Sequence, residues 1–357
     1  MSKYELEIVK SMNMKDKIQK DKVPFGKTFT DHMFIMDYET SKGWYDPRIV
    51  PYAPITLDPA AMIFHYGQTV FEGMKAYRGE DNRILLFRPD KNFQRLNLSS
   101  ERLCIPPIEE ERVMDYLTQL ISLEQDWVPS KEGTSLYIRP YIISTEPGLA
   151  VAPSQTYKLM IILAPVGSYF SGGIKPVRIS VEDQFTRAVK GGTGMAKTAG
   201  NYSSGFQAQA KASKEGNADV LWLDGVEKRY IEEVGSMNIF FKINGEVVTP
   251  ELNGSILKGI TRMSIIELLK EWGIPVVERK ISIEELSQAY TEGNLEEAFG
   301  TGTAAVISPV GELNWLGRKM IINNNEIGEV SKKLYDTITG IQTGKLEDLH
   351  DWTIEIK

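Results

Sequence analysis

The stretch from Gly191 to Tyr202 constrains this chain more than any other, because it sets one lysine, Lys197, among glycines and alanines. Glycine takes positive φ angles without strain, and small residues let the backbone approach a bulky partner. Such a loop suits two kinds of chemistry. Lys197 could contact a phosphate, as the lysine of a P-loop does, or it could be an amine nucleophile that forms a Schiff base with a carbonyl.

The P-loop explanation fits the residues poorly. That motif needs a glycine directly before the lysine, and Ala196 stands there instead. It also needs a buried strand directly before the loop, whereas residues 183–190 are polar. A flexible loop with a solvated lysine is a third explanation, so this stretch alone leaves the function open.

Length and composition exclude several classes of protein. A chain of 357 residues predicts two domains, and a net charge of −7 argues against non-specific nucleic-acid binding. The single cysteine, Cys104, excludes a disulfide within the chain and a thiolate metal cluster, and the three scattered histidines give no reason to expect a metal site. No apolar run is long enough to span a bilayer, and the N-terminus has no apolar signal-peptide core. We expect a soluble, cytoplasmic enzyme that binds neither membranes nor nucleic acid.

Periodic patterns predict several elements. Val113, Leu117, Leu120 and Ile121 fall on one face of an amphipathic helix. Residues 136–143 predict a half-buried strand on which Tyr137 and Arg139 share a face, because side chains alternate with period two. Asn244-Gly245 supplies the two positive-φ residues of a hairpin turn.

Other small or polar stretches predict boundaries. Ser282 and Glu285 form a helix capping box, and residues 299–305 predict a small-residue turn. Strands, hairpins and helices interleave without a regular βαβ rhythm, which favours an α+β fold. We predict an N-terminal small domain over residues 1–165, an interdomain linker over 166–173 and a C-terminal large domain over 174–357.

Three of these features together match the parts of one kind of cofactor site. Lys197 could form a Schiff base, and Glu233, at the mouth of a predicted strand, could pair with a pyridinium nitrogen. Gly259-Ile260-Thr261 opens a predicted helix, whose free N–H groups could bind a phosphate. A pyridoxal 5′-phosphate site needs these three parts, although each also has an ordinary structural explanation.

Longer motifs resemble one family. The most specific blocks, in order, are Glu233-Val-Gly-Ser-Met-Asn-Ile-Phe240, Val247-Val-Thr249 and Leu257-Lys-Gly-Ile-Thr-Arg262. They resemble the signature of the class IV (fold type IV) aminotransferases that use pyridoxal phosphate. Blocks at 25–32, 66–75, 86–89, 136–140 and 299–304 are similar to the branched-chain amino acid aminotransferases within that class, and the resemblance covers residues 25 to 310.

The resemblance implies a two-domain α+β enzyme of fold type IV, with a smaller N-terminal α/β domain and a larger, β-rich C-terminal domain that binds the cofactor. It implies that Lys197 is the catalytic Schiff-base lysine and that Glu233 pairs with the pyridinium nitrogen. It assigns the other cofactor contacts to Arg88, Tyr202, Ser236, Ile260, Thr261 and Thr303. It assigns substrate binding to Phe25, Tyr66, Phe71, Tyr137, Arg139, Val151, Thr303 and Ala304.

The implied reaction is a reversible ping-pong transfer of the amino group from L-leucine, L-isoleucine or L-valine to 2-oxoglutarate, giving L-glutamate. Because transamination is nearly reversible, the sequence does not separate biosynthesis from breakdown. The family further implies a homodimer in which residues 149–151 reach the neighbour's pocket. A D-amino acid aminotransferase or an aminodeoxychorismate lyase on the same fold remains an alternative, as does the P-loop protein.

Overall fold

The computed structural model describes residues 4–17, 25–167 and 173–357. Most of the predicted linker, 168–172, lies outside these ranges. The chain divides into two compact units: one contains Met1–Tyr169, Ala196–Ala199 and Gly340–Lys357, and the other contains Phe170–Met195 and Gly200–Thr339. In the described ranges, no helix has both the length and the apolar character needed to cross a membrane.

Strands and helices alternate in the first part of the chain. In chain order they are β1 (Glu7–Ile8), β2 (His32–Glu39), β3 (Gly43–Pro51), α1 (Met62–Tyr66), β4 (Thr69–Phe71), β5 (Met74–Arg78), β6 (Ile84–Phe87), α2 (Pro89–Arg102), α3 (Glu110–Leu123), β7 (Ser135–Ser144) and β8 (Thr156–Val166).

The later elements run from β9 to β18. They are β9 (Val177–Glu182), α4 (Gly200–Ser203), α5 (Phe206–Lys214), β10 (Asp219–Leu223), β11 (Ile231–Val234), β12 (Met237–Ile243), β13 (Glu246–Thr249), α6 (Ile260–Glu271), β14 (Val276–Glu278), α7 (Ile283–Thr291), β15 (Leu295–Gly302), β16 (Val306–Trp315), β17 (Arg318–Ile321), α8 (Glu329–Gln342) and β18 (Thr353–Ile356). One-turn 3₁₀ helices lie at Gln125–Trp127 and Asn323–Asn325.

A mixed sheet forms the centre of the first unit. Its strand order is β1-β3-β2-β8-β7-β5-β6-β18, and β4 also pairs with β7. Helix α3 packs its apolar stripe against this sheet: Val113, Leu117 and Leu120 are fully buried in the same cluster as Phe34 and Leu136. The predicted amphipathic helix is therefore confirmed, and burying this stripe is what keeps the helix on the sheet.

A second mixed sheet forms the centre of the other unit. Its order is β11-β10-β9-β16-β15-β12-β13-β14, β17 pairs with β16, and β11 also pairs with β12. The Asn244-Gly245 hairpin joins β12 to β13 with φ angles of 51° and 76°, as the turn chemistry requires. Ser282 caps α7 by accepting a hydrogen bond from the Glu285 N–H at 3.0 Å, as predicted. Each sheet mixes parallel and antiparallel pairs, and helices are interspersed with the strands along the chain, which confirms the α+β class.

Two expectations differ from the structure. Phe299–Gly302 complete β15, so the turn predicted for 299–305 is confined to residues 303–305. Burial is the reason: Phe299 is fully buried and its ring stacks on Phe240, with centroids 5.3 Å apart. Residues 174–357 are also not one unit, because β18 pairs with β6 and Thr198 forms a bridge with Val70 in the first unit. The domain boundaries themselves stay a proposal.

Candidate functional site

The main chain of Lys197 is fixed on both sides. Its N–H donates to Ser99 Oγ on α2 at 2.9 Å, and its carbonyl accepts from the Phe71 N–H at the end of β4 at 3.0 Å. The next residue, Thr198, donates from its hydroxyl to the Thr69 carbonyl at 2.7 Å. The small residues on either side of Lys197 let this segment lie against β4. These hydrogen bonds hold the segment in one position, unlike a flexible loop with a solvated lysine.

The Lys197 side chain lies beside a group of aromatic and basic side chains. Its Nζ is 4.9 Å from the centroid of the Phe71 ring, and the guanidinium of Arg139 is 4.8 Å from the same centroid. Arg139 Nη2 donates to the Tyr137 hydroxyl at 2.9 Å, which confirms that these two residues share one face of β7. The Tyr137 ring in turn meets Phe25 edge to face at 4.9 Å. One predicted catalytic residue and four predicted substrate residues are therefore together.

The other predicted residues of this unit lie at element ends and in connections. Arg88 is the N-cap of α2 with a φ of 49°, and its buried guanidinium lies 5.0 Å from the Trp352 ring centroid. The Tyr66 hydroxyl donates to the Leu149 carbonyl. Val151, between β7 and β8, is 87% exposed. The structure does not bring Val151 to Lys197.

In the second unit, Glu233 is a buried, charged residue with defined partners. Its Oε2 lies 3.1 Å from Arg187 Nε, and its Oε1 accepts from the Leu257 N–H at 2.8 Å. Arg187 is itself buried and donates to the Ser255 carbonyl. A guanidinium and a backbone N–H both contact this carboxylate, so the Glu233 side chain is fixed in direction.

Helix α6 begins at Ile260, shortly after Leu257, whose N–H donates to Glu233. Gly259 is its N-cap, and a Cβ there would lie 2.0 Å from Asn238 Oδ1, so a larger residue would have to displace the Asn238 side chain. Ile260 and Thr261 form the first turn and are buried. The cap residue, a glycine, makes no side-chain hydrogen bond to the N–H groups of this turn, so the predicted phosphate contact at Ile260 and Thr261 stays a prediction that this helix start allows.

The remaining predicted cofactor and substrate residues of this unit lie in turns and in a one-turn helix. Ser236 is exposed in the turn between β11 and β12, and Thr303 and Ala304 are half-buried in the turn between β15 and β16. Tyr202 is half-buried in α4. Their roles in binding remain predictions.

Two buried ionic groups are not predicted from the sequence. Arg187, which pairs with Glu233, lies in the polar stretch of residues 183–190. Glu72, which follows Phe71, pairs with Arg95 at 2.7 Å. A helix-face pattern was available for the second group, because Asn92, Arg95 and Ser99 repeat at the spacing of one face of α2.

The structure disagrees with the P-loop alternative. Strand β9 ends at Glu182, well before Gly191, and the helix after the loop, α4, has four residues. A phosphate-binding P-loop needs a strand that leads directly into the loop and a helix that follows it. The geometry therefore favours the amine explanation for Lys197.

Two glycines of this loop give a matched pair of substitutions. A Cβ at Gly194 would lie 2.1 Å from the Ser255 carbonyl oxygen, which is backbone and does not yield. At Gly200, with negative φ, a Cβ meets nothing within 4 Å. We expect Gly194→Ala to cost about 2–3 kcal/mol in the free energy of unfolding in urea.

The Gly200→Ala variant is the control for this experiment. Gly200→Ala should change the free energy of unfolding by less than about 0.5 kcal/mol, or raise it, because alanine favours the helix. Equal stabilities of the two variants would mean that the loop does not pack on Ser255 as described.

Comparison with known proteins agrees with this arrangement. Residues 69–313 match the model of the family described as Amino-transferase class IV. The chain is 64% identical to branched-chain-amino-acid aminotransferase 2 of Bacillus subtilis, covering 100% of this chain and 98% of that protein. It is 58% identical to branched-chain-amino-acid transaminase 1 of the same organism, covering 98% of this chain and 99% of that protein.

Among solved structures, the fold is similar to that of the Escherichia coli branched-chain amino acid aminotransferase. The TM-score is 0.77 at 27% identity, covering 92% of this chain and 99% of that one. Relatives of this identity, matched over nearly their whole length, decide the family. The chain belongs to the branched-chain-amino-acid aminotransferases, within the class IV aminotransferases.

Proposed function

We propose that this protein is a pyridoxal 5′-phosphate-dependent branched-chain amino acid aminotransferase. It transfers the amino group of L-leucine, L-isoleucine or L-valine to 2-oxoglutarate, giving the branched 2-oxo acid and L-glutamate. The names of its close relatives support the reaction, and the residues described above support the site.

The observation that carries the proposal is the placement of Lys197. Its backbone is clamped by Ser99 and Phe71, while its amine and the Arg139 guanidinium contact the same Phe71 ring. A reactive amine beside a fixed cation suits a substrate that has both an amino group and a carboxylate. Positioning of this kind converts a bimolecular reaction into an effectively unimolecular one.

The residues present fit pyridoxal phosphate. When bound, that cofactor supplies a carbonyl carbon for the amine and an electron sink for the substrate. Lys197 Nζ would hold it covalently, and the Glu233 carboxylate, which Arg187 contacts at 3.1 Å, would pair with the ring nitrogen. The phosphate would accept hydrogen bonds from the N–H groups of Ile260 and Thr261, the Arg88 guanidinium and the Thr303 hydroxyl. Ser236 would lie at the phosphate end of the cofactor. The Tyr202 hydroxyl would bond the ring oxygen.

The side chains and backbone groups of this chain have separate roles in the proposed reaction. Once the substrate's amino group has displaced it from the cofactor, Lys197 Nζ would accept the proton from the substrate Cα as a general base and, as its conjugate acid, deliver it to the cofactor carbon that the amino group now occupies. Tyr137 and the backbone of Thr303 and Ala304 orient the α-carboxylate. Phe25, Tyr66 and Phe71 offer apolar area to a branched side chain. Arg139 lies beside that α-carboxylate, and we assign the γ-carboxylate of 2-oxoglutarate to the same pocket, where the tyrosine hydroxyls and Arg139 would accept it.

An assay of amino-group transfer tests the proposal and its alternatives. With 2-oxoglutarate present, L-leucine, L-isoleucine and L-valine should give glutamate at rates at least about 100-fold above that with D-alanine. Aminodeoxychorismate should release no pyruvate. Faster turnover of D-alanine, or pyruvate release, would reassign the site to one of the other class IV activities.

We also propose that the protein is a cytoplasmic homodimer. The support is an exposed apolar group in the first unit: Phe64 is 61% exposed, Leu149 is 70% exposed and Val151 is 87% exposed. Burying such a group against a second copy would stabilise association.

Sedimentation tests the dimer. The expected mass is twice the chain's 40.2 kDa. Val151→Asp should shift the equilibrium towards monomer, whereas Val226→Asp, equally exposed at 84% in a turn of the second unit, should not. A monomeric parent protein, or identical behaviour of the two variants, would contradict this assignment.

A further inference from the structure

Trp352 is a buried aromatic residue that no step proposed above uses. It lies directly before β18 and is 5% exposed. Its ring meets the Phe87 ring edge to face, with centroids 5.6 Å apart, and the centroid of its ring lies 5.0 Å from Arg88 Cζ. The ring therefore contacts two consecutive residues, and the second of them is assigned above to the cofactor phosphate.

The backbone of Arg88 has an unusual conformation at the same place. Its φ of 49° and ψ of 44° lie in the left-handed region, which is uncommon for a residue with a side chain. The Arg88 N–H donates to the Trp352 carbonyl at 2.6 Å. Such a conformation persists only where its surroundings fix it. Residue 352 thus contacts Arg88 twice, at the main chain through its carbonyl and at the guanidinium through its ring.

A turn organised by Asp348 holds Trp352 in place. Asp348 Oδ2 accepts from the Thr353 N–H at 2.6 Å and from the Thr353 hydroxyl at 2.8 Å, and Oδ1 accepts from the His350 N–H at 3.2 Å. The His350 ring stacks on Trp352 with centroids 4.2 Å apart, and Thr353 pairs with Phe87 across the β18–β6 ladder. Trp352 is therefore held by groups other than Arg88, as a residue that positions another must be.

The contact between ring and guanidinium suits a phosphate-binding arginine. An aromatic face attracts a cation and, unlike a carboxylate, does not neutralise its charge. The attraction is stronger where solvent is excluded, and Arg88 is 8% exposed. A guanidinium that is held in one direction also presents its planar fork of donors at a lower cost in conformational entropy.

We propose that Trp352 is a positioning residue that acts through Arg88, holding the guanidinium in the direction of the phosphate of pyridoxal 5′-phosphate. This inference rests on the proposed role of Arg88 and deepens it. The competing explanation is that Trp352 only packs on Phe87 and keeps β18 on the sheet. The two explanations differ in one respect, because the direction of Arg88 matters only to a ligand that has a phosphate.

Pyridoxal, which lacks the phosphate, separates the two explanations without any measurement of turnover. The full-length protein is freed of cofactor and titrated with pyridoxal 5′-phosphate or with pyridoxal, and binding is followed by the visible absorbance of the imine. The dissociation constant for pyridoxal divided by that for pyridoxal 5′-phosphate is the phosphate preference. Thermal unfolding of each variant shows whether it is folded.

The phosphate preference should depend on the aromatic ring and on the guanidinium together. Trp352→Leu removes the ring but keeps the backbone carbonyl, and should lower the preference about tenfold. Trp352→Phe keeps an aromatic face and should stay within about threefold of the parent protein. Arg88→Met should lower the preference about 100-fold. Adding Trp352→Leu to Arg88→Met should change it by less than about twofold, because the ring then has no guanidinium to hold.

Trp44 provides the matched control. It is a buried tryptophan of the same unit, 8% exposed, whose ring meets Tyr38 edge to face and whose indole N–H donates to the Pro107 carbonyl at 2.8 Å. Trp44→Leu should lower the temperature of unfolding and leave the phosphate preference within about twofold of the parent protein.

Other outcomes overturn the inference. An unchanged preference in Trp352→Leu, or an equal fall in Trp44→Leu, would mean that Trp352 only packs. Independent falls that multiply in the double variant would mean that Trp352 does not act through Arg88. If Trp352→Leu does not fold, tryptophan fluorinated on its ring is placed at position 352. Fluorine withdraws electrons from the ring face and nearly keeps its shape, so the preference should fall with each added fluorine, and a constant preference would contradict the proposal.

The inference and the proposed function can fail separately. A parent protein that transfers no amino group from leucine would end the proposed function, whatever the phosphate preferences. An Arg88→Met variant with the parent's preference would end the assigned role of Arg88 and the inference with it. A Trp352→Leu variant with the parent's preference, in a protein that does transaminate, would end only the inference about Trp352.

Discussion

Replacing Lys197 by alanine is expected to lower the rate of leucine transamination by about 10⁴-fold or more, because the substitution removes the side chain that we propose as both the covalent anchor and the proton carrier. The fold should persist, since the contacts of Ser99 and Phe71 are with the backbone of residue 197. The measurement is glutamate formation from L-leucine and 2-oxoglutarate at saturating concentrations.

Lys190→Ala is the matched control, because Lys190 is an exposed lysine in the same part of the chain. It should keep the parent rate within about twofold. Comparable rates for the Lys197 and Lys190 variants would show that the amine of residue 197 takes no part in the reaction.

Glu233→Gln should lower kcat by about 10²-fold while leaving the protein folded. The amide keeps the shape and can still accept from the Leu257 N–H, but it loses the charge that faces Arg187. In the proposed role of Glu233, a ring nitrogen without this carboxylate would lose its proton, and the cofactor ring would draw electrons less strongly from the substrate. Steady-state kinetics with leucine measure the loss.

The neighbouring Glu232 provides the control for that variant. It is also buried, with Ser255 and Asn253 as hydrogen-bond partners, and burial raises the pKa of its carboxyl. An amide replaces a carboxyl of this kind at little cost, so Glu232→Gln should retain most of the rate. Equal losses in the two variants would indicate disruption of β11 and not a role for the charge of Glu233.

Local patterns predicted those parts of the fold that depend on local chemistry. The Asn244-Gly245 turn, the Ser282 cap and the α3 stripe follow from backbone preference, capping and amphipathicity. The pairing of Tyr137 with Arg139 follows from the period of a strand. In each case the residues that decide the structure are neighbours in sequence.

Tertiary packing decided what these patterns could not. Phe299 lies among small residues that suggest a turn, yet stacking on Phe240 makes it part of β15. Likewise, β18 joins the first sheet by pairing with β6, a contact that no local pattern carries.

In the candidate site, too, some residues could be predicted from the sequence and others could not. Lys197 and Glu233 stand out by their surroundings and by family motifs. Arg187 and Arg95 do not, because a buried arginine is recognised only when its carboxylate partner is found, far away in sequence. Polar residues on the buried face of α2 were the one available signal for the Glu72 group.

The most direct test of the central claim is to locate the cofactor on the chain. The purified protein is incubated with pyridoxal 5′-phosphate, reduced with borohydride and digested, and the phosphopyridoxyl group is mapped by mass spectrometry. The account predicts one major modified residue, Lys197, and protection of that residue by prior addition of L-leucine. An unmodified Lys197, or a phosphopyridoxyl group mainly on another lysine such as Lys75, would contradict it.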